Sequence, residues 1–322
     1  MPSVTAAPEG FIVRPLRLDD AEAMFALESA YKRALIGVPG NSLEEIRGQL
    51  SEPGFDPSKD AWAVFSESGD FVGYGGAMGR GEYERIGIAF VSSEPAVAAW
   101  LLEQAMERAR QVGQAHGHDE INVGMMVLRE DEVRAGIAAD HGFTRETTYN
   151  RMRIDHNGPI AAPATPAGTV LRRGAPDDAS RRRAHQVIEA SFRSQPGAEP
   201  RPYDDWVTSR ENRSTEDWSL VSVLEADGQA IAVRECSNQF LETDNCGYVG
   251  RLGVLKEARG HGYARFLLQD AFALDAAAGR TGTLLHVDVN NPTPAVALYL
   301  AVGMRVATCA DAWRRPLATS GT

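Results

Sequence analysis

The stretch RLGVLKEARGHGYARFLLQDA, from Arg251 to Ala271, reads as a short strand, a glycine-rich loop and a helix. Leu252 to Leu255 makes the strand, and Arg259, Gly260, His261 and Gly262 make the loop. From Ala264 onwards Leu267, Leu268, Ala271 and Leu274 recur at helical spacing, which predicts an amphipathic helix packed on a sheet. Glycine-rich backbone at such a junction turns several N–H groups towards one point, at the positive end of the helix dipole. That is a cradle for a pyrophosphate. Gly260 and Gly262 allow positive φ and close approach by a ligand, while Arg259 adds a permanent charge. The dinucleotide fingerprint fails here, because its third glycine and its ribose-binding acid are missing. The P-loop fails as well, since no Gly-Lys-Ser/Thr follows.

Working outward, the chain repeats this pattern. RIGIAFVSSEPAVAAWLLEQA, starting at Arg85, aligns with the Arg251 stretch without a gap at an offset of 166. Ile86 to Ala89 supplies its strand. Further upstream, VRPLRLDDAEAMFAL (Val13 to Leu27) matches LRRGAPDDASRRRAHQV (Leu171 to Val187). Each reads as a strand followed by an alanine-rich helix capped by paired aspartates, Asp19 and Asp20 or Asp177 and Asp178. Ala61 to Gly76 and Asp217 to Glu235 each read as a hairpin. The two halves also end alike, with ADHGF around Gly142 and LAVGM around Gly303. Between them HNGPIAAPATPAG, His156 to Gly168, has little to bury and reads as a linker. The expected organisation is a domain over 11–157, a linker over 158–168 and a second domain over 169–317.

Composition excludes several classes. With 33 Lys+Arg against 44 Asp+Glu in 322 residues, the formal charge of −11 argues against nucleic acid as a partner. The 43% of apolar residues suffices for real cores, yet no apolar run is long enough to span a membrane. Three cysteines, Cys236, Cys246 and Cys309, fit a reduced compartment better than a disulfide framework. Met1 to Gly10 shows no basic stretch leading into an apolar run, so the expectation is a cytoplasmic protein. His116 and His118 have no second pair at metal spacing, so no metal site is expected. The Arg181 to Arg183 cluster reads as a wet helix face.

The motif Arg259-x-x-Gly262-x-Ala264 resembles the acyl-CoA loop of the GNAT N-acyltransferases, and Leu252-Gly253-Val254 resembles the strand that leads into it. Downstream, LLHVDVNNPTPAVALYLAVGM is similar to the rest of that family's pattern through Asn291, Ala295, Leu298, Tyr299, Gly303 and Met304. The resemblance covers 169–317, and with the first copy the layout resembles the tandem GNAT proteins. It implies an α/β (α+β) chain of two GNAT-like domains, each a mixed, mostly antiparallel sheet flanked by helices and splayed where a pantetheine lies. It further implies an N-acetyltransferase with acetyl-CoA as cosubstrate and the amine of a small molecule as acceptor. On that basis Leu252, Gly253, Val254, Arg259, Gly260, His261, Gly262, Tyr263, Ala264 and Asn291 bind the cosubstrate, and Tyr299 is the catalytic acid. A tyrosine is neutral at pH 7 and can protonate a leaving thiolate.

No base is assigned. Tyr248, Gly250 and Arg251 stand where relatives often carry a glutamate, and Glu242, Asp244 and Asp288 read better as solvated or structural carboxylates. At the offset of 166 the first half replaces Arg259, Gly260, His261 and Gly262 by Ser93, Glu94, Pro95 and Ala96; counted from the closing glycine, Tyr299 becomes Ala138. The first domain therefore reads as catalytically silent. The stretch Ser194 to Arg213, with Tyr203 and Trp206, either closes over the acceptor or is a surface loop. The alternative to an enzyme is a non-catalytic acyl-CoA-binding or scaffold protein. The acid excess mildly favours a cationic acceptor, and homo-oligomerisation is left open.

Overall fold

The computed structural model describes residues 6–38, 40–52, 54–79, 81–193 and 200–320. The chain divides into two compact units. One runs to Tyr149 and takes in the segment from Thr308; the other is Asn150–Ala307.

Unit 1 follows the order β1 (Phe11–Pro15), α1 (Ala21–Ile36), α2 (Leu43–Leu50), α3 (Pro57–Asp60), β2 (Ala61–Ser66), β3 (Phe71–Gly79), β4 (Arg85–Ser92), α4 (Pro95–Ala115), β5 (Glu120–Leu128), α5 (Glu132–Asp140) and β6 (Thr144–Asp155). The β2–β3 hairpin matches its sequence signal, and β1 to β4 form an antiparallel meander. β5 joins β4 in parallel, over Arg85↔Asn122 to Gly87↔Gly124. Its far edge is covered by residues from the other end of the chain, since Ala310–Ala318 pairs antiparallel along all of β5. One face buries Phe90, Leu101, Leu102 and Val123 under α4, and the other buries Leu16, Met24, Ile46 and Ala63 under α1 and α2.

Unit 2 repeats the scheme with β7 (Thr169–Arg173), α6 (Asp178–Phe192), α7 (Tyr203–Glu211), β8 (Glu216–Ala226), β9 (Gln229–Ser237), α8 (Leu241–Asp244), β10 (Cys246–Val254), α9 (Tyr263–Ala277), β11 (Gly282–Asp288), α10 (Ala295–Ala301) and β12 (Arg305–Ala318). β7 to β10 are antiparallel, β11 is parallel to β10, and β6 is next to β11. The strand pairing in each unit is thus mixed and mostly antiparallel.

Three expectations shift. The units part at 149/150, within β6, whereas the composition change lies at 158–168. β6 and β12 each divide between the units, and strand partners that distant in sequence leave no mark on local composition. The aspartate caps differ too. Asp177 accepts from Ser180 N at 2.7 Å and caps α6, whereas Asp20 turns back to Arg14 at 2.6 Å and Arg17 N at 2.8 Å. On α9, Leu267, Leu268 and Ala271 are buried but Leu274 is exposed; Phe266, Phe272 and the carboxylate of Asp270 complete the inner face. Asp270 belongs there because Arg234, also buried, donates to it at 2.9 Å and to Leu267 O at 2.7 Å, which pins α9 to the sheet.

Candidate active site

The site grows from one irregularity in unit 2. β10 and β11 pair only over Cys246↔Gly282, Gly247↔Thr283 and Tyr248↔Leu284, and then diverge. On its other edge β10 keeps pairing with β9, with a bulge between Val249 and Arg251 that Gly250 fills. The backbone of Val249 to Val254 therefore turns one edge towards a cleft instead of a strand. That cleft, of about 420 Å³, is lined by Leu252, Gly253, Val254, Arg259, Gly260, Gly262, Tyr263, Ala264, Asn291 and Tyr299 of the residues singled out from sequence.

His261 is the one such residue outside the lining. Its Nδ1 lies 3.3 Å from Ala258 O and its ring stacks on Tyr263 at 5.6 Å. Gly260 (φ 87°) and Gly262 (φ 79°) are both left-handed, and an added Cβ at either would meet nothing within 4 Å. Conformation fixes glycine at these positions while leaving open space above the backbone, as close approach by a ligand requires. Gly262 is also the N-cap of α9 and brings no capping side chain, so among the described residues the leading N–H groups are left for a ligand in the cleft. Arg259 is braced by Nε to Val254 O at 3.1 Å and by Nη2 to Ser191 O at 3.4 Å, which holds its charge over the cradle. Asn291 orders the next loop, its Oδ1 accepting from Thr293 N at 2.9 Å and Thr293 Oγ1 at 2.7 Å.

Tyr299 is on α10, packed with Leu285, Val287 and Met304. Burial pushes its phenol up to about 12, so it keeps its proton throughout the physiological range. None of the carboxylates weighed as a base lines the cleft. Asp244 pairs with Arg151 at 2.8 Å, Asp288 accepts from Asn290 N at 2.8 Å, and Glu242 is exposed on α8.

Sequence reasoning missed two groups on the cleft wall. His286 lines it, with Nδ1 at 3.1 Å from Tyr248 Oη. The ring keeps a wet edge in the cleft, but the protein around it and the Arg151 charge lower its pKa to about 4, so it is neutral. Arg251, passed over as standing where an acid was sought, lines the cleft beside the bulge. Only the alternation along β10 could have pointed to it. Trp206 and Tyr203 of the Ser194 to Arg213 stretch are on α7, with Trp206 buried against Trp218 at 5.1 Å; residues 194–199 of that stretch lie outside the described residues.

Unit 1 has the same diverging strands but fills the gap with its own side chains. Beyond Gly87↔Gly124, Arg134 donates to Met126 O of β5 at 3.4 Å and covers the Phe90 ring of β4 at 4.6 Å. Only Ser93 and Glu94 separate β4 from α4, where unit 2 runs from Leu255 to Gly262. The gapless pairing of Arg259 to Gly262 with Ser93 to Ala96 therefore does not hold in space, because Pro95 and Ala96 are already helix. It is already out of register in the strand, since the parallel ladder ends at Gly87 in β4 and at Tyr248 in β10, positions 161 apart rather than 166. The pairing of Tyr299 with Ala138 does hold. Met304 N reaches Tyr299 O and Phe143 N reaches Ala138 O, each at 3.0 Å, in matching helix ends.

Comparison with known proteins bears on the fold. The sequence model of the Acetyltransferase (GNAT) family matches residues 184–304, which lie within unit 2. Among solved structures, a GCN5-related N-acetyltransferase from Sphaerobacter thermophilus superposes with a TM-score of 0.81 at 23% identity, over 98% of both chains. A tandem GNAT protein from the clavulanic acid biosynthesis pathway gives a TM-score of 0.73 at 16% identity, covering 97% of this chain and 99% of that one. An N-myristoyltransferase from Saccharomyces cerevisiae with bound myristoyl-CoA gives 0.66 at 11% identity, covering 99% of this chain and 81% of that one. No curated protein sequence matches. The chain has the tandem GNAT fold, and no helix among the described residues is long and apolar enough to cross a membrane.

Proposed function

We propose that unit 2 is an acyl-CoA-dependent N-acyltransferase that moves acetyl from acetyl-CoA to the amine of a small molecule, with unit 1 catalytically silent. The observation that carries this reading is the meeting, in one cleft, of a splayed strand pair, an uncapped glycine cradle and a protonated buried tyrosine. When bound, acyl-CoA supplies an activated thioester carbonyl. The chain supplies everything around it. The N–H groups from Gly260 to Ala264 and the Arg259 guanidinium hold the pyrophosphate, and the open edge of Leu252 to Val254 offers ladder-like hydrogen bonds to the pantetheine amides.

An alkylammonium near pKa 10.4 is free base in only about one molecule in a few thousand at neutral pH, so the amine must lose a proton before attack. His286, uncharged and paired with Tyr248, presents an imidazole that hydrogen-bonds a neutral amine without repelling it. Tyr299 Oη gives its proton to the departing sulfur as the C–S bond breaks and the C–N bond forms, and the surplus proton of the acylated nitrogen restores the phenol. A reducing, cytoplasmic setting suits three cysteines held as thiols, and burial pushes the Cys236 thiol up to about 11, keeping it protonated.

The test is incubation with acetyl-CoA and an amine panel while free thiol is followed. Thiol release dependent on amine supports the enzyme. Tight acetyl-CoA binding by calorimetry, without thiol release from any amine, supports a binding protein instead.

A further inference from the structure

Given that reading of unit 2, the charge on the cleft wall identifies the acceptor's class. Among the described residues no aspartate or glutamate lines the cleft, whereas Arg251, Arg259 and Arg265 do. Two of these cations belong to the phosphate end, Arg259 in the loop and Arg265 in the first turn of α9. Arg251 does not. It stands three residues before Val254, about 10 Å further along the strand at roughly 3.3 Å per residue, and next to the bulge.

Its side chain leaves the sheet on the side away from α9. Arg251 is directly opposite Glu235 in the ladder, and Glu235 meets Trp206 and Arg210 of α7. The neighbouring Leu252, by contrast, packs with Phe266 and Leu267 of α9. Arg251 thus belongs to the acceptor side.

The buried Glu235 is shared. Its Oε1 accepts from Trp206 Nε1 at 3.1 Å and Arg210 Nη1 at 2.8 Å, leaving Oε2 for Arg251 Nη1 at 2.9 Å. Arg210 also faces Glu216 at 2.8 Å, so the cluster as a whole is balanced in charge. Arg251 is its member at the cleft. It spends one nitrogen on Glu235, and its Nε and Nη2 have no partner among the described residues. A guanidinium held by one corner, with its other donors towards a cleft, is a receptor for a planar oxyanion.

We infer that the acceptor is a zwitterion of the amino-acid type, whose carboxylate docks on Arg251 and so brings the adjacent amine to the Gly250 bulge beside Tyr299 and His286. The acid excess of the whole chain pointed mildly to a cationic acceptor; the cleft itself offers a cation nothing to pair with.

The test compares matched acceptors in the full-length protein, phenylalanine against phenethylamine and lysine against cadaverine, with acetyl-CoA binding measured separately by calorimetry. The carboxylated member of each pair is expected to have the higher kcat/KM by about ten- to a hundredfold, the range for one charge-assisted contact. Arg251→Gln should erase that preference with an unchanged KM for acetyl-CoA, and Arg251→Lys should restore part of it. Equal rates within each pair, faster decarboxylated amines, or no turnover of any of the four with acetyl-CoA bound would each overturn the inference. An increased KM for acetyl-CoA in Arg251→Gln would do so too, by giving Arg251 to the phosphates. Failure of wild-type protein to bind acetyl-CoA at all would instead defeat the acyltransferase reading beneath it.

Discussion

The two strand-to-helix junctions, Ser92 to Pro95 in unit 1 and Val254 to Tyr263 in unit 2, show how one fold is emptied or equipped for phosphate. In unit 2 the helix starts on a left-handed glycine that brings no capping side chain. In unit 1 the helix starts on Glu94 and Pro95, and Ser92 Oγ accepts from Glu94 N at 3.1 Å. Proline removes one donor, the serine uses another, and a carboxylate at the dipole's positive end occupies the place of an anion. At this junction unit 1 removes or uses its own donors, which leaves less for an anion to bind. Its gap, closed by Arg134 on Phe90, tells the same story in packing.

That contrast can be broken most severely at Gly262. Gly262→Glu combines a strained positive φ with an anion facing pyrophosphate, and calorimetry should detect no CoA binding to unit 2; unchanged affinity would remove the cradle from the site. Tyr299→Phe tests the other half of the machinery. The expected loss in kcat is about 10²-fold or more, typical of general acid catalysis, with acetyl-CoA affinity nearly intact. Full activity would reduce Tyr299 to a packing residue.

Arg259→Ala should be milder, raising the KM for acetyl-CoA about tenfold for one charge-assisted contact, with kcat little changed. Ser93→Gly, at the corresponding turn of unit 1, should leave both constants where they were, and a fall in turnover would show that unit 1 takes part.

The smallest effect is in acid. His286 is held near pKa 4 against an ordinary 6.5, so below pH 6.5 the unfolded chain binds a proton that the folded chain refuses. Stability therefore declines as pH falls from 6.5 towards 4. His286→Asn should flatten that part of the thermal-unfolding profile, and an unchanged slope would mean that the imidazole titrates normally.

Much of this was legible from residues whose roles are local. Glycines at 260 and 262, the leucines of α9 and the turn in each hairpin announce their conformations because neighbouring residues decide them. Arg251 and His286 were not legible, since their roles come from facing the same side of adjacent strands, a fact of register. The gapless match of the two halves misled for a related reason: ladder partners fix the register of β4 and β10, and the apolar pattern along a strand does not. Leu274 fits the spacing yet is exposed, while Asp270, paired with the buried Arg234, shares the inner face with the leucines.

The route of the last strand has a consequence for synthesis. Arg129, just past β5, meets Asp311 at 3.0 Å across a separation of 182 residues. The N-terminal half therefore emerges from the ribosome with an unpaired β5 edge, and it waits for nearly the whole chain before that edge is covered. Closing so long a loop is slow compared with forming the local hairpins of either half. Unit 1 is made first and finished last, and cutting the chain within 158–168 leaves an N-terminal fragment with a bare, adhesive strand.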